Sequence, residues 1–120
     1  MKPAKPLSVE RGQVWLVLLR PTVGREINKK DRPSIVVSND TFNKGPSELA
    51  VVVPTTGTDW GNPLHVRVDP PEGGLRDTSY ALCDQIRTVS SVRFGDYLGR
   101  VSQDTLREIA DRVNILLDIP

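Results

Sequence analysis

The sequence predicts a small, mainly β domain closed by one C-terminal helix. Three observations carry this. Short apolar segments bounded by Gly, Pro and charged residues recur from Gln13 to about Val101. Helical spacing of apolar residues appears only after Ser102. The chain of 120 residues suits a single domain with one real core. Many short strands followed by one helix imply a strongly curved sheet or barrel with the helix packed on it. Residues 1–10, with Lys and Pro and no apolar stretch, read as a flexible leader, and residues 11–120 as the single domain.

The elements follow in order. Gln13 to Leu19 is a continuous apolar run between Gly12 and Arg20-Pro21, as in a buried strand. Ser34 to Ser38 is a β-branched second strand. Leu49 to Val53 is a third, expected to stop at Pro54, which has no N–H to give to a ladder. Leu64, Val66 and Val68 alternate with His65 and Arg67, so the two sets take opposite faces. Pro70-Pro71-Glu72-Gly73-Gly74 is a turn cluster. Ser79 to Thr88 is expected as one long strand, and Tyr97 to Val101 as a weaker one. Leu106, Ile109, Ala110, Val113, Leu116 and Leu117 form one helical stripe. Ser102 suits the N-cap, Asp104 suits the first turn, and Val101 can staple to Leu106.

Composition excludes several function classes. Sixteen Lys and Arg face fifteen Asp and Glu, so any nucleic-acid surface must be local. One such patch exists, because the segment from Arg20 to Arg32 holds five basic residues against two acidic ones. A single cysteine, Cys83, permits no internal disulfide and no Cys-based zinc site. The lone His65 permits no two-histidine acid–base pair. No apolar run approaches membrane-spanning length, and no signal-peptide core precedes the domain, so a cytoplasmic protein is expected. No phosphate-cradling glycine loop, nucleophile elbow or metal-ligand cluster is present, which implies neither cofactor nor metal.

The remaining polar residues suggest where chemistry could sit. Arg32 stands at the boundary between a basic loop and the second strand, and Pro33 restricts it to extended backbone. A guanidinium binds phosphate oxygens with a planar fork, although Arg32 can equally pair with Asp31 or Glu26. Thr55, Thr56 and Thr58 follow the third strand, where hydroxyls can meet a phosphate or a ribose 2′-hydroxyl or simply serve the loop. Gln85 and Arg87 are expected on one strand face, lining either a cleft or plain surface. Cys83 reads as a small core residue.

Five segments together resemble a known family. They are Arg11-Gly12-Gln13-Val14-Trp15, Pro21-Thr22-Val23-Gly24-Arg25-Glu26, Arg32-Pro33-Ser34-Ile35-Val36-Val37-Ser38, Val51-Val52-Val53-Pro54-Thr55-Thr56 and Asp84-Gln85-Ile86-Arg87-Thr88-Val89. In this order and spacing the chain resembles the MazF/PemK toxin endoribonucleases of bacterial toxin–antitoxin systems, from about Arg11 to Ile119. The resemblance implies an SH3-like or plasmid-maintenance-toxin barrel and a homodimer. It implies metal-independent cleavage of single-stranded RNA, with attack by the 2′-hydroxyl to leave a 2′,3′-cyclic phosphate and a 5′-hydroxyl. It also implies a cognate antitoxin with an acidic tail. It maps catalysis to Arg32, Thr56 and Glu26. Gly24, Arg25, Thr58, Trp60, His65 and Gln85 are the expected substrate-binding residues, with Trp60 and His65 offered for base stacking. Arg25 stands where the family usually has Ser, and Gln13 where it has an acid. Two rivals are a gyrase-poisoning toxin of the same fold, which typically ends in Trp-Gly-Ile where this chain has Leu117-Asp118-Ile119-Pro120, and a non-catalytic binding module.

Overall fold

The computed structural model describes residues 8–20 and 31–120. Its strands are β1 (Gln13–Leu18), β2 (Asp31–Val36), β3 (Leu49–Thr56), β4 (His65–Val68), β5 (Ser79–Leu82), β6 (Arg87–Ser90) and β7 (Phe94–Arg100). Helix α1 is one turn, Asp40–Asn43, and α2 runs Gln103–Leu117. The strands form one antiparallel seven-stranded sheet in the order β4-β5-β3-β2-β1-β7, with β6 paired to β3 off this path. A mainly β domain with a C-terminal helix is therefore what the chain adopts.

β1, β3 and the second half of β2 carry apolar residues at successive positions because they are covered on both faces. Val14, Ile35 and Val53 face a core completed by Val66, Val68, Ala81 and by Leu106 and Ile109 of α2. Trp15, Val17, Val36 and Val52 face a second core with Val9, Leu19, Ala50, Val89 and Phe94. Trp15 meets Phe94 and Tyr97 edge-on, with ring centroids 5.9 and 5.3 Å apart. Val9 is fully buried and Glu10 pairs with Arg100 at 2.6 Å. Val9 and Glu10 of the expected leader are thus packed against the domain. Residues 1–7 of that leader lie outside the described residues.

Two strand expectations are corrected. β3 does not stop at Pro54 but continues to Thr56. It pairs with β6 over Leu49–Val52 and with β5 over Thr55–Thr56, so Pro54 falls in the gap between partners, where a missing donor costs no ladder bond. The expected strand from Ser79 to Thr88 is broken into β5 and β6 by a 3-10 turn, Cys83–Gln85. This turn lets the chain leave one end of β3 and rejoin the other.

α2 begins as the sequence predicts. The Ser102 hydroxyl accepts from Thr105 N at 3.1 Å. Glu72 adds a second cap from the turn cluster, its Oε2 accepting from Ser102 N at 2.9 Å and from the Thr105 hydroxyl at 2.6 Å. The apolar stripe is only partly used. Leu106 and Ile109 are buried, whereas Ile115, Leu116 and Leu117 of the last turn are exposed. One-turn α1 has no apolar period to announce it. It is held by Asn39, whose side chain caps Phe42 N at 2.8 Å, and by buried Asn43, which donates to Ser38 O at 3.0 Å.

Two predictions follow from this packing. Gly74 has φ +69°, and a Cβ there would lie 1.9 Å from Leu98 O, whereas Gly57 has open space around it. Gly74→Ala is expected to cost at least about 2 kcal/mol in urea denaturation, and Gly57→Ala to stay within about 0.5 kcal/mol of wild type. Desolvation pushes the Cys83 thiol up to about 12. At pH 8 the folded protein then holds almost no thiolate, so iodoacetamide should label Cys83 only after denaturation. Fast labelling of the native protein would contradict its burial.

Candidate functional site

The site grows from the β2–β3 register. Ser34 pairs with Pro54, so two residues further along the antiparallel strands Arg32 comes alongside Thr56. The Thr55 hydroxyl donates to Pro33 O at 2.7 Å and locks the strands together there. Arg32 Nη1 donates to Thr55 O at 3.4 Å. Its Nε is buried and has no hydrogen-bond partner among the described residues. Partial burial lowers the Arg32 pKa, yet a guanidinium keeps its charge at any physiological pH. The result is a fixed cation with a donor left over, which suits an anionic ligand.

The two neighbouring threonines divide their work. Thr55 is consumed by the backbone of β2. Thr56 is buried at the strand end, and its Oγ1 accepts from Thr58 N at 3.2 Å, which starts the loop toward β4. Its hydroxyl proton has no acceptor among the described residues and stays available to a ligand. Thr58 itself is exposed beside Thr56. The loop continues through Trp60, which is 70% exposed, and closes on Asn62, whose Oδ1 accepts from Leu64 N at 2.8 Å.

Other expected residues lie elsewhere. The His65 side chain is only 7% exposed, and its Nε2 sits 3.0 Å from Asp84 Oδ1. Little ring surface is left for a base, so the geometry runs against a stacking role for His65. It instead ties the start of β4 to the 3-10 turn, with Nδ1 buried and unpartnered among the described residues. Gln85 is half-buried at the end of that turn, and does not share a strand face with Arg87 as expected. Gly24, Arg25 and Glu26 lie outside the described residues. No group of three or more His, Cys, Asp and Glu able to hold a metal occurs among the described residues, and no helix there is long and apolar enough to cross a membrane.

Two positioning residues escape sequence reasoning. Arg87 Nη1 donates to Leu19 O at 3.0 Å, and Arg93 Nη1 donates to Leu18 O at 3.0 Å and also to Arg20 O. Three successive carbonyls at the end of β1 are thereby held, at the point where the chain leaves for residues 21–30. Leu18 pairs with Asp31, so the same clamp fixes both ends of that segment beside Arg32. The Gln-Ile-Arg-Thr step marks Arg87 as unusual, but nothing in the sequence pairs it with β1. Arg93 carries no signal at all.

Comparison with known proteins gives the family of the chain. Residues 10–117 match the family described as PemK-like, MazF-like toxin of type II toxin-antitoxin system. The chain is 36% identical over 111 residues to Endoribonuclease PemK of Escherichia coli, covering 91% of this chain and 82% of the relative. It is 32% identical over 116 residues to Endoribonuclease MazF9 of Mycobacterium tuberculosis, covering 92% and 98%. Among solved structures, MazF from Deinococcus radiodurans superposes with a TM-score of 0.83 at 24% identity, covering 94% of this chain and 99% of that one, and so supports the fold. A mycobacterial endoribonuclease in complex with its cognate antitoxin superposes with a TM-score of 0.73 at 28% identity, covering 94% and 96%. With residues 10–117 matched and a relative 36% identical over 111 residues, this chain belongs to the PemK-like, MazF-like toxins of type II toxin–antitoxin systems.

Proposed function

We propose that this chain is an endoribonuclease toxin that cuts single-stranded RNA without a metal ion. The observation that carries the reading is Arg32, fixed beside Thr56 with a buried Nε that no described residue satisfies. The relatives named endoribonuclease support the activity class. In the proposed step the ribose 2′-oxygen bonds to phosphorus as the P–O5′ bond breaks. Glu26 takes the 2′-proton or positions the 2′-hydroxyl for its loss to solvent, and solvent returns one to the leaving 5′-oxygen, giving a 2′,3′-cyclic phosphate and a 5′-hydroxyl. Arg32 stabilises the charge that builds on the phosphoryl oxygens, because preorganised donors act most strongly on charge that develops in the transition state. Arginine is a poor proton-transfer group, so its role is electrostatic. The Thr56 hydroxyl orients a phosphate oxygen or the 2′-hydroxyl. Gly24, Arg25, Thr58, Trp60 and Gln85 contribute to substrate binding, with Trp60 offering a stacking surface.

The chain works in the cytoplasm as a homodimer held off by a cognate antitoxin. Supporting self-association, α2 exposes Ile115, Leu116 and Leu117, followed by Ile119, more apolar surface than a lone helix end needs. The mycobacterial complex supports the antitoxin partner. An acidic, disordered tail that folds on binding would suit the basic segment between Arg20 and Arg32.

Two measurements test this. Purified protein incubated with a long RNA in EDTA should cut at a short recurring sequence and leave 2′,3′-cyclic phosphate ends. Arg32→Ala should lower kcat about 100- to 1000-fold while the circular dichroism spectrum and melting temperature are retained. Near-normal cutting of a matched RNA by that variant would sink the assignment. The threonines should also separate. Thr56→Val is expected to lower kcat about tenfold with little change in stability, and Thr55→Val to cost about 1 kcal/mol of stability with a smaller change in kcat.

A further inference from the structure

The geometry points to a second nucleotide subsite on β5 and β4, formed by Tyr80 and Arg67, which holds a nucleotide flanking the one cut at Arg32 and Thr56. The inference rests on the RNA-cleavage reading and extends it. Thr56 pairs with Tyr80, and Tyr80 pairs with Arg67. Directly opposed residues of adjacent antiparallel strands share a face, so Arg32, Thr56, Tyr80 and Arg67 form one row across β2, β3, β5 and β4. The alternate residues of the same strands, Val66, Val68 and Ala81, point into the core against α2. The row therefore occupies the face turned away from the helix. Strands lie about 4.8 Å apart, which places Tyr80 about 5 Å and Arg67 about 10 Å from Thr56 along the row. Arg67 is thus placed for a nucleotide next to the one held by Arg32, with Tyr80 between the two.

The chemistry of the row fits an unpaired nucleotide. Tyr80 is half-buried, a ring seated on the sheet with part of its surface open. Arg67 is 62% exposed at the side chain, and its Nε donates to Asp69 Oδ1 at 2.9 Å. The same oxygen accepts from the Thr78 hydroxyl at 2.9 Å, so the carboxylate is itself anchored. Only Nε is used, and both Nη groups of Arg67 lack a partner among the described residues. The hydrogen bond with Asp69 holds the guanidinium pKa above its ordinary value, and the nearby charges of Asp69 and Asp59 add to it. Asp59 lies in the loop after Thr56, which also carries exposed Trp60 and crosses from β3 to β4 past β5. An aromatic ring next to an oriented guanidinium is the surface on which bases of single-stranded RNA stack.

The test uses an oligoribonucleotide containing the mapped cleavage site with three nucleotides on each side, and two trimmed versions that each lack the flank on one side. Tyr80→Ala and Arg67→Gln should each raise KM for the full oligonucleotide about 5- to 100-fold, with kcat changed less than threefold. Tyr80→Phe should behave as wild type, since the ring remains. On one of the trimmed oligonucleotides wild type and variants should share the same KM, an equality that a merely structural role for Tyr80 would not produce. Wild-type KM for both Tyr80→Ala and Arg67→Gln on the full oligonucleotide overturns the subsite and leaves the cleavage reading standing. So does a loss of the same size on all three oligonucleotides. If wild type cuts no RNA in EDTA, the cleavage reading fails and the subsite falls with it.

Discussion

The structure depends on the antiparallel register between β2 and β3. Ser34 opposite Pro54 puts Arg32 beside Thr56, and the Thr55 hydroxyl on Pro33 O holds that register at the open end. A slip of β2 by one residue would turn Arg32 to the opposite face and drive Val36 out of its core. The same strands are buried on both faces, so the hydrophobic effect that stabilises the domain also fixes the site. Rigidity at the site is thus a consequence of core packing and needs no separate device.

β3 is the strand that makes this possible. It pairs with β2 along one edge and is shared between β6 and β5 along the other. The change of partner bends the sheet and brings β5 and β4 into line with Arg32. Pro54 belongs at that junction because the position asks for no ladder donor. The 3-10 turn Cys83–Gln85 returns the chain from β5 to β6, and His65 to Asp84 at 3.0 Å ties that turn to β4.

The charge pattern also acquires meaning from the fold. Near-neutral overall composition conceals two arginines, Arg87 and Arg93, that are spent on the carbonyls of Leu18, Leu19 and Arg20. Such cations are neutralised by backbone dipoles and serve geometry. Arg32 differs because its buried Nε is left without a partner among the described residues. What separates Arg32 from these two arginines is the state of its donors, and composition does not record that.

The sequence by itself determined the β-rich class, the terminal helix with its Ser102 cap, and the buried character of Cys83. These are legible because periodicity, capping and short motifs are local, and the side chains that produce them lie within a few residues of one another. Only the tertiary structure decided that β3 runs through Pro54, that Ser79 to Thr88 breaks at a turn, and that His65 is engaged with Asp84 and largely covered. Only it assigned Arg93 to Leu18, 75 residues away, and put Tyr80 and Arg67 in line with Thr56. Each of these depends on pairing between distant segments. Strand pairing is set by the global packing of apolar faces, which no window of sequence contains.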